Sequence, residues 1–175
     1  MGADKVFMEI DGRTLLDRAL AAVSSVCDYV RIVGDPAKFS TVETEAIGDI
    51  FPGCGPLAGI HTALSQSPYE LNLMLAVDMP FVPANLLDFL FAVANGAAAL
   101  VTVPRVNAQL QPLCAVYRRE FSGKAEAALR AGNYKIEAAF SGVSIRVIEE
   151  GELISAGFSA RNFFNMNTPK DTPRE

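Results

Sequence analysis

From Leu71 to Val77 the chain is apolar apart from Asn72, and it then delivers Asp78, Met79 and Pro80. Continuous apolar character, rather than alternation, is what a strand covered on both faces requires. Pro80 lacks a backbone donor and stops the pairing there. The pattern predicts a buried parallel strand with one carboxylate at its C-terminal end. Ala97 to Val103 repeats the pattern and is closed by Pro104. Tyr29 to Val33, before the breaker Gly34-Asp35-Pro36, reads as a shorter strand, as do Glu45 to Ile47, Leu113 to Tyr117 and the alternating Val143 to Ile148. Val6 to Ile10 reads as an extended piece ahead of an Asp11-Gly12 turn.

Between these stretches the apolar period becomes helical. Leu15, Leu16, Ala19, Leu20 and Val23 share one face of a helix over Thr14 to Ser25, with Thr14 and Asp17 spaced as a capping box. Further helices are predicted over Leu57 to Gln66, over Pro83 to Ala94, which Asn95-Gly96 ends, and over Arg119 to Ala131, which Gly132 ends. A short one covers Tyr134 to Phe140. The segment Asn162 to Pro169 reads as an Asn-rich turn before a last helical start. Strands alternating with helices predict an α/β fold with a mostly parallel sheet and right-handed crossovers.

Composition narrows the function classes. The 175 residues, half of them hydrophobic, suffice for one core, so residues 1–175 read as a single domain. A formal net charge of −5 argues against a broad nucleic-acid or anionic-membrane surface, although a cleft with local cations still suits a small polyanion. Cys27, Cys54 and Cys114 form no close pair and leave an odd count, which fits a reducing, cytoplasmic setting better than a disulfide framework or zinc site. No apolar run reaches the roughly 18 residues of a membrane span. The N-terminus shows no signal-like core.

Two stretches carry candidate chemistry. In open α/β sheets ligands bind beyond the carboxyl ends of the strands. Asp78 is thus a candidate ligand for a hard cation such as Mg²⁺, which takes one or two carboxylates plus phosphate oxygens; capping the helix near Pro83 is its simpler use. The loop Asp49 to Gly59 holds Pro52, Gly53, Gly55 and Pro56 ahead of a helix, an arrangement that lets backbone N–H groups approach an anion. It also serves as a plain strand-to-helix connection. His61 reads as a packing or surface residue, Cys54 as an incidental thiol, and Arg118-Arg119 as a solvated helix start. Lys5, by itself, is an ordinary surface lysine.

Five short motifs in order change that picture: Met-Gly-Ala-Asp-Lys at 1–5, Gly-Pro-Leu-Ala-Gly at 55–59, Val-Asp-Met-Pro at 77–80, Gln-Pro-Leu at 111–113 and Asn-Met-Asn-Thr-Pro at 165–169. Together they resemble the molybdenum cofactor guanylyltransferases, nucleotidyltransferases with a Rossmann-like, three-layer α/β/α fold. The resemblance implies transfer of GMP from GTP to molybdenum-bearing molybdopterin, with Mg²⁺ as cofactor and release of pyrophosphate. It implies catalytic roles for Lys5 and Asp78, with the metal on Asp78. Nucleotide contacts fall on Gly2, Lys5, Asp49, Gly55, Pro56 and Asp78, and contacts to the second substrate on Asn165 and Asn167. Lys135 falls where the family often has a basic residue. Molybdoenzymes or their chaperones are the implied protein partners, with neither nucleic acid nor membrane involved.

The resemblance also implies a strand and a Gly-rich phosphate loop ahead of Lys5, of which Met1 to Lys5 would be the last residues. Thr14 stands where the family usually has Pro. Cytidylyl transfer to molybdopterin, nucleotidyl transfer to a sugar phosphate, and nucleotide binding without catalysis are the other readings in reach. A signalling receiver domain is disfavoured, because receivers need an acidic pair after the first strand and place Met-Pro farther from the phosphoacceptor Asp.

Overall fold

Thr14 opens the first helix for the reason its spacing suggests: its hydroxyl accepts from the Asp17 N–H while the Asp17 carboxylate accepts from the Thr14 N–H. The computed structural model describes residues 5–168 and Asp171. A single helical turn at Lys5–Phe7 leads into a hairpin of β1 (Glu9–Ile10) and β2 (Arg13–Thr14), then α1 (Leu15–Ser24). The predicted extended piece at Val6 thus begins as a helical turn, closed by the Met8 N–H on the Lys5 carbonyl.

The chain continues through β3 (Ile32–Val33), β4 (Ala46–Ile47), α2 (Pro56–Gln66), β5 (Leu71–Leu75) and α3 (Ala84–Asn95). It ends with β6 (Val101–Val106), β7 (Gln109–Leu110), β8 (Cys114–Arg118), α4 (Phe121–Arg130), β9 (Ile145–Ile148) and α5 (Glu150–Ser155). The expected short helix near Phe140 is a 3-10 segment over Ile136–Phe140.

The main sheet is ordered β5-β8-β6, with β9 on the far side of β6. β5, β6 and β9 point the same way, yet β8 runs antiparallel between β5 and β6, and only β6 and β9 pair in parallel. The expectation of a mostly parallel sheet therefore holds for the direction of those three strands and needs correcting for their pairing. The cause is local. After β6 the chain turns back at Asn107 and Ala108, both at positive φ, pairs briefly as β7, and re-enters the sheet as β8 without a helical crossover. A strand buried on both faces looks the same in sequence whichever way its neighbour runs.

β8 shows why both faces are covered. Ala115 and Tyr117 pack with Leu57, Leu64 and Phe121 of α2 and α4. Cys114 and Val116 point the other way, onto Leu86, Leu87 and Leu90 of α3, which are fully buried. Burying one such leucine stabilises by about 1.5–3 kcal/mol. The result is three layers, helix, sheet and helix.

Three expectations shift. β6 runs through Pro104 to Val106, because its ladder to β8 ends at Thr102 and the Pro104 carbonyl still accepts from the Gln111 N–H. Of Tyr29 to Val33 only the last two residues pair, with β4. β5 is half-buried rather than buried. Among the described residues it pairs on one edge only, and Leu71 to Val77 line an apolar cleft of about 710 Å³ shared with Ile32 and Val33 of β3 and Ile60 of α2. Among the described residues no helix is long and apolar enough to cross a membrane.

Candidate active site

Asp78 stands three residues beyond β5, in a turn closed by the Met79 N–H on the Ala76 carbonyl, 3.2 Å. Met79 is buried against Leu86 and Leu87, so the apolar plug directly after the acid fixes the acid's backbone. From the C-terminal side the Met166 N–H donates to the Asp78 carbonyl at 2.8 Å, with the Met166 side chain buried. Sequence positions 78 and 166 are thus locked together by main-chain geometry.

Lys5 completes the cluster. Its ammonium donates to Asp78 Oδ2 at 2.7 Å and to Asn167 Oδ1 at 2.8 Å. The lysine and aspartate side chains are 35% and 30% exposed, so the pair faces solvent at a strand end and is open to a ligand. Asn165 takes a different place: it lines a cleft of about 420 Å³ together with Asp78, Asn107, Gln109, Gln111 and Phe163. Amide side chains offer both donors and acceptors to a planar heterocycle. Asn107 and Gln109 carry no local sequence signal as cleft residues: the left-handed turn at Asn107 and Ala108 sends the chain back, and both line the same cleft as Asp78.

A second group surrounds the start of α2. Asp49 stands two residues beyond β4, and its Oδ1 is buried without a hydrogen-bond partner among the described residues. Burial pushes its carboxyl above the ordinary carboxylate range. Gly59 of α2 faces it: a Cβ there would stand 3.8 Å from Asp49 Oδ1, in ordinary van der Waals contact. Gly55 takes φ +73° at the N-cap, a conformation that favours glycine, and Pro56 occupies the first turn of the helix, where no donor is lost. The hydrogen bonds that join Lys5, Asp78 and Asn167 do not extend to this group among the described residues. Gly2 lies outside the described residues.

The remaining candidates resolve into local roles. His61 is buried, bonded to Ser65 and edge-on to Phe51 at 5.1 Å, and burial lowers its pKa, as packing requires. Arg118 belongs to β8 rather than to a helix start and is used up on Glu70 and the carbonyls of Ala97 and Ala99. Lys135 is exposed, and the carbonyl of its neighbour Tyr134 stands 4.0 Å from where a Gly55 Cβ would sit, which puts it beside the glycine loop. Cys54 is half-exposed in that loop.

The donor set can be tested against a divalent ion. Among the described residues no three His, Cys, Asp or Glu side chains gather as a cage. A single half-exposed carboxylate, Asp78, beside a cleft fits Mg²⁺, which keeps waters and takes its other ligands from phosphates.

The family model described as the MobA-like NTP transferase domain matches residues 1–143. The chain is 31% identical over 171 residues to the molybdenum cofactor guanylyltransferase of Desulfosudis oleivorans, with 97% of this chain and 84% of that one covered. Among solved structures it is similar to molybdopterin-guanine dinucleotide biosynthesis protein A from Archaeoglobus fulgidus, with TM-score 0.83, 27% identity, and 96% and 86% of the two chains covered. A 2-C-methyl-D-erythritol 4-phosphate cytidylyltransferase from Thermus thermophilus, TM-score 0.71 at 17% identity, covering 95% of this chain and 89% of that one, shares the fold alone.

Proposed function

Since the chain belongs to the MobA-like NTP transferase family, we propose that it transfers GMP from GTP to molybdenum-bearing molybdopterin, giving the guanine dinucleotide form of the cofactor and pyrophosphate. The observation that carries this reading is the Lys5–Asp78–Asn167 cluster at the end of β5, opening on an amide-lined cleft. The names of the relatives support guanylyl transfer in particular.

The chemistry asks little covalent work of the protein. A terminal phosphate of the acceptor, with a second pKa of about 6, is already largely ionised at neutral pH and serves as nucleophile without a general base. Its oxygen attacks the α-phosphorus of GTP as the bond to the leaving pyrophosphate breaks. The protein holds two anions in line and offsets the charge that builds there. Asp78 would hold Mg²⁺, which supplies Lewis-acid neutralisation of the phosphates. Lys5, anchored by Asp78 and Asn167, presents a point charge to them. Gly55 and Pro56 leave the first N–H groups of α2 accessible to the nucleotide, and Asp49 Oδ1 is an acceptor awaiting a donor there. Asn165, with Gln109 and Gln111, contacts the pterin half.

The three free cysteines fit the reducing cytoplasm as the place of action. Molybdoenzymes or their chaperones follow as the recipients of the product. The test is product analysis after incubation with GTP, molybdenum-loaded molybdopterin and Mg²⁺. The dinucleotide and pyrophosphate in equal amounts are expected, and GTP bound but unconsumed would overturn the reading.

A further inference from the structure

Asp171 lies two residues past the last motif that the resemblance covers, and nothing in that resemblance gives it a role. Its geometry does. One carboxylate oxygen accepts from the Asn167 N–H at 2.7 Å and from the Thr168 N–H at 2.8 Å, while the other accepts from the Thr168 hydroxyl at 2.9 Å. Its own N–H donates to the Thr168 carbonyl at 3.0 Å. Every one of these bonds closes on the two residues that follow Met166, and the first of the two is the residue whose side chain holds Lys5.

We infer that Asp171 is a positioning residue for the transfer reaction: it clamps the turn at 167–168 so that Asn167 Oδ1 stays on the Lys5 ammonium. This rests on the function proposed above. Met166 already ties the segment to the strand end, but through the residue before Asn167, and a single main-chain bond leaves the next peptide free to rotate. Asp171 removes that freedom from the other side. Lys5 then has two fixed acceptors, Asp78 and Asn167, rather than one. A lysine with four rotatable bonds and one acceptor sweeps a wide volume, and loss of aim at reacting phosphates is costly.

The clamp differs from a contact of the core. Asp171 is not buried, so the N–H groups it binds would find water if it were removed, and no buried donor would be orphaned. The three donors, with the nearby Lys5 charge, also hold its carboxyl below the usual carboxylate range, so the clamp is ionised throughout the neutral region.

The experiment is a double-mutant cycle of Asp171→Ala and Asn167→Ala, read as kcat and KM for GTP, with thermal unfolding on each variant. Asp171→Ala is expected to lower kcat about 10-fold or more, the scale of losing the support behind a site residue, with melting lowered too little to account for that loss. In the Asn167→Ala background it is expected to add nothing, because the group it positions is gone. Asp171→Asn, which keeps an acceptor oxygen, is expected to recover part of the rate. Additive losses, or a rate loss matched by lower melting, would overturn the inference. A second readout is independent of turnover. The ¹⁵N-ammonium resonance of Lys5, slowed in proton exchange by its two acceptors, should broaden in Asp171→Ala and in Asn167→Ala alike. An unchanged Lys5 signal in Asp171→Ala would refute the clamp even if the proposed reaction proved wrong.

Discussion

Replacing Asp78 by Asn separates chemistry from folding in this site. The substitution removes one negative charge and keeps the shape. The Lys5 ammonium, 2.7 Å from Oδ2, retains an amide oxygen to donate to, and the Met166 N–H binds the backbone carbonyl of residue 78, which is unaffected. Both side chains of the ion pair are about a third exposed, so solvent screens most of its energy and the loss in stability is at most about 1 kcal/mol. Catalysis has no such shelter. The carboxylate is the acid that lines the cleft beside Lys5, and loss of one preorganised electrostatic group costs roughly 10²-fold or more, about 2.7 kcal/mol at the transition state. The assay is pyrophosphate release with GTP, molybdopterin and Mg²⁺, paired with urea unfolding of the same preparations. Wild-type turnover in Asp78→Asn, or a rate loss explained by unfolding, would refute the reasoning.

Two other outcomes follow from the packing and the burial. Leu87→Ala opens a cavity in the layer between α3 and β8 and should cost about 2–5 kcal/mol, read as a lower urea midpoint at unchanged slope; a cost under about 1 kcal/mol would mean that this layer collapses onto the void. Asp49 has its pKa raised in the fold, so its ionised form is disfavoured there, and the penalty is present above the folded pKa and fades as pH falls toward the ordinary value of 3.8. Asp49→Asn should therefore be more stable than the wild type at neutral pH, with the difference vanishing in acid, while its affinity for GTP falls; a variant less stable at neutral pH would show that the carboxylate has a partner in the fold.

Much of this architecture was legible in the order of residues, and the gaps have physical causes. Helix starts with side-chain signals came out close to their positions, as the Thr14–Asp17 box shows. α5 went unread, although Glu149 and Glu152 cap it in the same reciprocal way, because a helix of six residues shows too little apolar period. The antiparallel return of β8 was hidden because continuous burial erases the alternation that would betray it. At the candidate site, the strand pattern alone singles out Asp78, as a candidate cation ligand or a helix cap. Lys5 and Asn167 are not readable from local pattern, since the hydrogen bonds that join Lys5 to Asp78 and to Asn167 span 73 and 162 residues of sequence. Resemblance to a family supplied what spacing could not, and the structure then placed Lys5 on the acid and the amide rather than alone.

The most direct test of the account is the nucleotide dependence of pyrophosphate release by this chain with molybdenum-loaded molybdopterin and Mg²⁺. The account predicts release with GTP, little with CTP, and none when the acceptor is left out. Release that favours CTP, or tight GTP binding with no release at all, would contradict it.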